Sequence, residues 1–304
     1  MKIAVTSASG KLGGAIIKAL IQEIGKENVV GIARNTAKAA HLGVEVRKGD
    51  YNNREDFNEA LQGIDKVLLI SGMDKPEKRI AQHQNVIEAA KQNGVQKMVY
   101  TSIIGDEKNT AFSPVVQSNR QTEDDVRNSG MNFIIGRNGI YIEPDLEYID
   151  TYIKEAGIIN CAADGKCGYT SRQELGYAYS QLLLNDNLNG KTLNLVGEGI
   201  TQSQLADYIN QVYGTTLSFK DISVEAYKEE RQSALGDFLG TIIAGIYEGI
   251  RNGANDVTSD FETAAGRPHK SALELIQHYR LANKKHSQNI INLNQNCFLD
   301  VFSE

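Results

Sequence analysis

The chain has 304 residues, 41% of them hydrophobic and 23% charged, with a formal net charge of −6 and no tryptophan. That length allows one large α/β domain and a smaller one, and the acidic balance argues against nucleic acid or an anionic membrane surface as a partner. Three cysteines, Cys161, Cys167 and Cys297, are too few and too scattered for a disulfide framework or a paired-cysteine metal site, and the chain opens on a strand pattern with no leader, which reads as cytoplasmic.

KIAVT, residues 2–6, is a short buried strand, and GGAIIKALIQEIG, residues 13–25, has helical spacing and ends on Gly25. NVVGIAR (28–34) is a second strand, TAKAAHLG a short helix, and VEVRKGD (44–50) a third strand. REDFNEALQGI is helical, DKVLLI (65–70) is a nearly continuous apolar strand, and KRIAQHQNVIEAAKQNG (78–94) is a long amphipathic helix closed by Gly94. QKMVYTS (96–102) and MNFIIGRN (131–138) are further strands, separated by the helix QTEDDVRNSG. Such alternation implies an α/β fold of Rossmann type, a doubly wound parallel sheet. Ligands in these sheets bind at the carboxyl ends of the strands. Thr6, Arg34, Asp50, Ser71, Thr101 and Asn138 therefore fall along one edge.

After residue 140 the alternation fades. IEPDLEYIDTYIKEAG and TSRQELGYAYSQLLL read as helices, KTLNLVG (191–197) as a strand, SQLADYINQVYG as a helix and LSFKDIS as a short strand. A single helical stretch covers VEAYKEERQSALGDFLGTIIAGIYEGI, and SALELIQHYRLANKK is a last helix. FLGTIIAGIYEGI, residues 238–250, is too short to span a bilayer and carries Glu248, so it reads as a buried or groove-lining helix. The expected organisation is a dinucleotide-binding domain over 1–140, to which segments around 155–200 return, and a smaller, mainly helical domain over 141–285. An Asn-rich tail, frayed or docked to a partner, follows from His286 to Glu304. There are no internal repeats.

The most informative segment is TSASGKLGG, residues 6–14. A strand that turns sharply into a helix aims backbone N–H groups at phosphates, and glycines keep side chains out of the way. Thr6, Ser7, Ser9, Gly10, Lys11, Leu12 and Gly13 form this candidate cofactor loop, with Ser7 where a first glycine is usual. If that position needs φ > 0, serine costs on the order of 1 kcal/mol. The second strand then selects the cofactor. An acidic residue at its end would bind the ribose hydroxyls of NAD, whereas this chain has Arg34, with Lys38 one turn on. A guanidinium forks onto a 2′-phosphate, so NADP(H) is expected over NAD(H); the alternative is a pair of solvated surface cations. Asp50, with Tyr51 beside it, either reaches the adenine end or is a solvated strand end. Ser71 and Gly72, then Thr101 and Ser102, stand where ribose and nicotinamide would lie. Asn138 bonds in both senses, and Tyr141 is an aromatic wall for a flat acceptor or a core residue. Phe238, Ile242 and Tyr247 recur on one helical face and roof the groove or fill the core.

Several chemistries are disfavoured. None of the 13 tyrosines has lysine four residues on, so the usual tyrosine–lysine proton shuttle for alcohols and ketones is absent. The histidines at 41, 83, 269, 278 and 286 make no metal-spaced cluster with cysteine or aspartate, and no metal is expected. His83, in an amphipathic helix, reads as structural. Ser102 lacks the nucleophile elbow of a hydrolase.

TSASGKLGG, ARNTAKA, VRKGDYNN, KVLLISG, HQNVIEAAKQNGVQKMVYTS and FIIGRNGIY form an ordered series, continued by AADGKCGYTSRQELGYA and DFETAAGRPHKSALELI. The series resembles the NmrA-like group of atypical short-chain dehydrogenases over about residues 2–280, nearest its type 2 quinone oxidoreductase and triphenylmethane reductase branches. The resemblance implies an NAD(P)H-dependent oxidoreductase. It implies an NADP-binding domain, a groove beneath a small C-terminal domain, and hydride transfer to a quinone-like acceptor that Asn138 and Tyr141 would orient. A homodimer also follows from it. Some members of the group instead sense the redox state of the dinucleotide and regulate a protein partner, and that alternative stays open. One departure stands out: relatives tend to carry lysine near Asp124, where this chain has SNRQTEDDV. Arg120 is the candidate substitute; otherwise TEDD is a solvated helix start.

Overall fold

The computed structural model describes residues 1–284, so the tail from His286 and Cys297 lie outside the described residues. In chain order the elements are β1 (Ile3–Val5), α1 (Lys11–Ile24), β2 (Val29–Ala33), α2 (Thr36–Ala39), β3 (Glu45–Lys48), α3 (Arg54–Ala60), β4 (Lys66–Leu69), α4 (Pro76–Gln92), β5 (Lys97–Ile103), α5 (Ser113–Arg127) and β6 (Asn132–Asn138). They continue with α6 (Glu143–Glu147), α7 (Ile149–Lys154), β7 (Gly157–Asn160), β8 (Cys167–Gly168), α8 (Arg172–Leu184), β9 (Thr192–Leu195), β10 (Gly199–Ile200), α9 (Gln202–Tyr213) and β11 (Ser218–Asp221). The last helices are α10 (Val224–Leu235), α11 (Asp237–Arg251), α12 (Phe261–Ala265) and α13 (Ala272–Lys284).

Seven strands form the doubly wound parallel sheet in the order β3-β2-β1-β4-β5-β6-β9. The strand order reverses between β1 and β4, the switch point where such sheets open a crevice. On one face Ile16, Ile17 and Leu20 of α1 pack with Leu175, Tyr179 and Leu182 of α8. On the other, Phe57 of α3, Val86 and Ile87 of α4 and Val126 of α5 cover Val30, Leu69 and Tyr100. Both faces are covered, which is why VLL in β4 is apolar without alternation. At the opposite edge Lys66 and Lys97 are buried; they donate to the carbonyls of Leu183 and Leu182 and both pair with Asp186. These cations sit where the α8 dipole is negative.

The chain beyond β6 does two things. It returns α8 and β9 to the large sheet, and it builds a smaller, mainly helical region around Ile142, Ile158, Leu205, Ile209, Ile250 and Ile276. Two short sheets serve that region, β7 with β11 and β8 with β10. Several elements differ from the sequence pattern: β8, β10 and α12 carry no mark in it, and α6 and α7 stand where one helix is expected. Helix α5 starts at Ser113 rather than Gln121, because its buried face includes Ser113, Ser118, Asn119, Thr122 and Glu123, which apolar periodicity does not reveal. The stretch 224–250 breaks into two helices at Gly236, whose φ of 83° is left-handed. Strand β7 follows two short helices and has too few residues to show a period. No helix among the described residues is long and apolar enough to cross a membrane, and none of their His, Cys, Asp and Glu side chains group to hold a metal ion.

Candidate functional site

The turn after β1 has the shape that its sequence leaves in question. Ser7 has φ of 48°, so serine stands in the left-handed conformation where glycine is usual. An L-residue there costs on the order of 1–2 kcal/mol. Ser7 Oγ donates to the hydroxyl of Tyr51 at 3.2 Å, and Thr6 Oγ1 lies 2.7 Å from the same oxygen. Tyr51 in turn donates to the Ile70 carbonyl at 2.6 Å, so one phenol ties the turn to the end of β4. Burial pushes that phenol up to about 12, outweighing the hydrogen bonds from Ser7 and Thr6. Gly13 is required for a different reason. A Cβ at this position would lie 2.3 Å from the Ser7 carbonyl oxygen, so the first turn of α1 packs directly against the loop. That carbonyl accepts the Gly10 amide at 2.9 Å.

From this turn a cleft of about 520 Å³ runs past the end of β2, lined among others by Ser7, Ser9, Arg34, Lys38, Asp50, Tyr51 and Gly72. Arg34 and Lys38 are exposed, and their side chains make no hydrogen bond or ion pair among the described residues. Asn35, between them, caps α2 through the Ala37 amide. Asp50 at the rim accepts from the amide and side chain of Asn52 at 2.9 and 3.1 Å.

The end of β4 is organised inward. The amide of Ile70 donates to Thr6 Oγ1 at 2.9 Å, that of Ser71 to Thr101 Oγ1 at 2.9 Å, and that of Gly72 to His83 Nε2 at 2.8 Å. Because Nε2 accepts, the imidazole proton sits on Nδ1 and donates to Thr122 Oγ1 at 2.8 Å. Burial, reinforced by the Arg79 charge, holds His83 down at about 3, so the ring stays neutral. His83 is structural, as its place in an amphipathic helix suggests, yet what it holds is the loop bordering the cleft.

The remaining candidates are distributed as follows. Thr101 is buried beneath Ser71. Ser102 points to the other face of β5 and donates to Glu123 at 2.7 Å. Lys11 reaches towards the C-terminal region and pairs with Glu147 at 3.6 Å. Leu12 belongs to the core on the α1 side. Asn138 accepts from the Tyr179 hydroxyl at 2.6 Å, and Tyr141 is half-buried with the Arg172 guanidinium 4.9 Å above its ring. Neither lines the cleft beside Ser7. Asp124 is exposed and pairs with Arg127 at 2.8 Å. Arg120 is committed to Glu107, Glu123, Ser102 and the Ile103 carbonyl, so it cannot replace a ligand-binding lysine. The charge that matters on α5 is its neighbour Glu123, fully buried. Burial works against its ionisation, but hydrogen bonds from Arg137 and Ser102 and the charges of Arg120 and Arg137 hold it down at about 2. The stripe on α11 divides: Ile242 packs with Phe112 and Val116, Tyr247 bonds to buried Asp145 at 3.3 Å, and Phe238 is 52% exposed.

These features suit a dinucleotide. The turn leaves no room for a side chain at Gly13, and uncommitted cations stand at the end of β2. The crevice opens at the switch point of a 3-2-1-4-5-6 sheet. Fold and site together define a dinucleotide-binding α/β protein.

Comparison with known proteins makes this more particular. The NAD(P)H-binding family model matches residues 7–156. Quinone oxidoreductase 2 of Escherichia coli is 30% identical over 282 residues, covering 91% of this chain and 98% of that protein. Its crystal structure complexed with NADPH superposes with a TM-score of 0.84 at 29% identity, covering 91% of this chain and 99% of that one. The triphenylmethane reductase of Citrobacter sp., complexed with NADP(H), gives a TM-score of 0.85 at 30% identity over 92% of this chain and all of the other. An NmrA-like family domain-containing oxidoreductase of Aspergillus flavus is 29% identical over 75% of this chain and 76% of its own. The chain belongs to the NmrA-like family of NAD(P)H-binding oxidoreductases.

Proposed function

We propose that the protein transfers a hydride from NADPH to a quinone or a similar flat, electron-poor acceptor. The observation that carries the cofactor choice is the pair Arg34 and Lys38, exposed at the end of β2 without a protein partner and with no acidic residue in their place. The turn from Thr6 to Gly13 would hold the pyrophosphate through backbone N–H groups, with Lys11, paired to Glu147, at its edge. Asp50 and Tyr51 would border the adenine end. Around Ser71 and Gly72 the amides are already bound inward, so that loop offers carbonyl oxygens, which suit the hydroxyls of a ribose. Thr101 would act by fixing Ser71, and Ser102 through its backbone alone. When bound, NADPH supplies the hydride. Asn138 and Tyr141 would orient the acceptor, and the reduced oxygen would take its proton from water. A quinone needs little more than positioning against the donor ring, which agrees with the lack of a tyrosine–lysine pair. Two relatives, one named for quinones and one for triphenylmethane dyes, point to the same class of acceptor.

The test is NADPH oxidation by the purified full chain against a panel of quinones. Turnover with NADPH well above that with NADH is expected. A protein that binds both redox forms of the cofactor and reduces no acceptor in the panel would be a sensor, and the hydride-transfer reading would fail.

A further inference from the structure

Arg79, on α4, is 4% exposed and has no carboxylate partner among the described residues. Its Nη2 donates to Ser71 Oγ at 2.6 Å and lies 3.3 Å from Asn119 Oδ1, while its Nε is buried without any hydrogen-bond partner. The side chains packed around it are neutral. His83 is held at about 3, and burial pushes the Tyr100 phenol up to about 12. The nearest acids are engaged elsewhere: Asp74 with the Lys75 amide, Gln82 and Lys78, and Glu123 with three arginines. One uncompensated positive charge therefore lies beneath the carboxyl ends of β4 and β5. Burying a cation without a counter-charge is costly, so the fold maintains it against a penalty.

Its place behind Ser71, whose neighbour Gly72 lines the cleft, gives the charge a task. A dinucleotide anchored by Arg34 at β2 and by the turn after β1 has only one direction left, across the switch point to β4 and β5. Its nicotinamide half then falls at Ser71, on the side of Arg79. The reduced ring is neutral; once it has lost a hydride it carries one positive charge. We propose that Arg79 sets the redox-form preference of the site, disfavouring NADP⁺ relative to NADPH and so speeding release of the spent cofactor. Arg79 is a positioning residue: it holds Ser71 and acts on the ring through its field in a medium of low dielectric constant. The inference rests on the dinucleotide reading above and deepens it.

The experiment is separate calorimetric titration of the full chain with NADPH and with NADP⁺. Wild type should bind NADPH more tightly. Arg79→Met should narrow the ratio roughly tenfold, mainly by tightening NADP⁺, whereas Arg79→Lys should keep it. Should Arg79→Met fail to fold, Asn119→Asp decides, because it sets a carboxylate beside the guanidinium and should narrow the ratio with Arg79 in place. A ratio equal in wild type and the neutralised variants, or equal weakening of both forms, overturns the inference and leaves the cofactor reading standing. A wild type that binds neither form removes both.

Discussion

At the β2 end of the cleft Arg34 and Lys38 stand exposed with no protein partner, whereas at the β4 end the amides of Ile70, Ser71 and Gly72 are each bound by a buried side chain. The first region leaves its charge unpaired by protein. The second spends its donors on itself, and Thr101, His83, Thr122 and Asn119 fix the loop before anything arrives. The contrast separates two physical tasks. Selecting a cofactor needs strong, mobile, charge-assisted contacts made on binding. Holding a reactive ring needs a surface whose ordering cost is met during folding.

Breaking the turn that joins the two regions should have the largest effect. In Gly13→Ala the new methyl meets the Ser7 carbonyl, and backbone must shift. Overpacking of this kind costs about 1–3 kcal/mol, and with the phosphate amides displaced we expect NADPH binding to weaken roughly a hundredfold by titration. Next is Arg34→Ala, which removes charge from the exposed end of β2 and disturbs no packing. NADPH affinity should fall roughly tenfold to a hundredfold while NADH affinity stays within about twofold. At the other end His83→Leu leaves the Gly72 amide buried and unpaired, with a predicted loss of about 1–3 kcal/mol in chemical denaturation. An unchanged stability would mean that the β4 loop is not held as described. The smallest effect concerns Ser7. Ser7→Ala keeps the left-handed strain and loses the bond to Tyr51, whereas Ser7→Gly loses the bond and relieves the strain. The glycine variant should be the more stable of the two by about 1 kcal/mol.

The same contrast explains what the sequence reveals. Thr6 and Arg34 lie directly after strands whose apolar runs are unmistakable, and Gly13 lies in the first turn of the helix after β1, so their place at one edge follows from counting. The need for φ > 0 at Ser7 follows from a missing glycine. The β4 end is partly hidden because the groups behind Ser71 and Gly72 come from polar positions of α4 and α5. Arg79, Asn119 and Thr122 look like solvated helix faces until the two helices are packed over the sheet, where Arg79 meets Asn119 and His83 meets Thr122. Hydrophobic periodicity marks a helix by its apolar stripe, and a buried polar stripe leaves no such mark. Ser102 differs for a related reason. Adjacent strand residues face opposite sides, so its side chain meets Glu123 on the face away from Thr101.

On the proposed function, the free cations at the end of β2 read the 2′-phosphate of the cofactor while the Ser7 turn still receives the pyrophosphate. Titration of the full chain with NADPH and with NADH, followed by nicotinamide fluorescence, tests both parts at once. Tight binding of NADPH with much weaker binding of NADH is the predicted result. Equal affinity for the two would contradict the role of Arg34 and Lys38, and no binding of either would show that a serine in the left-handed turn has closed the site.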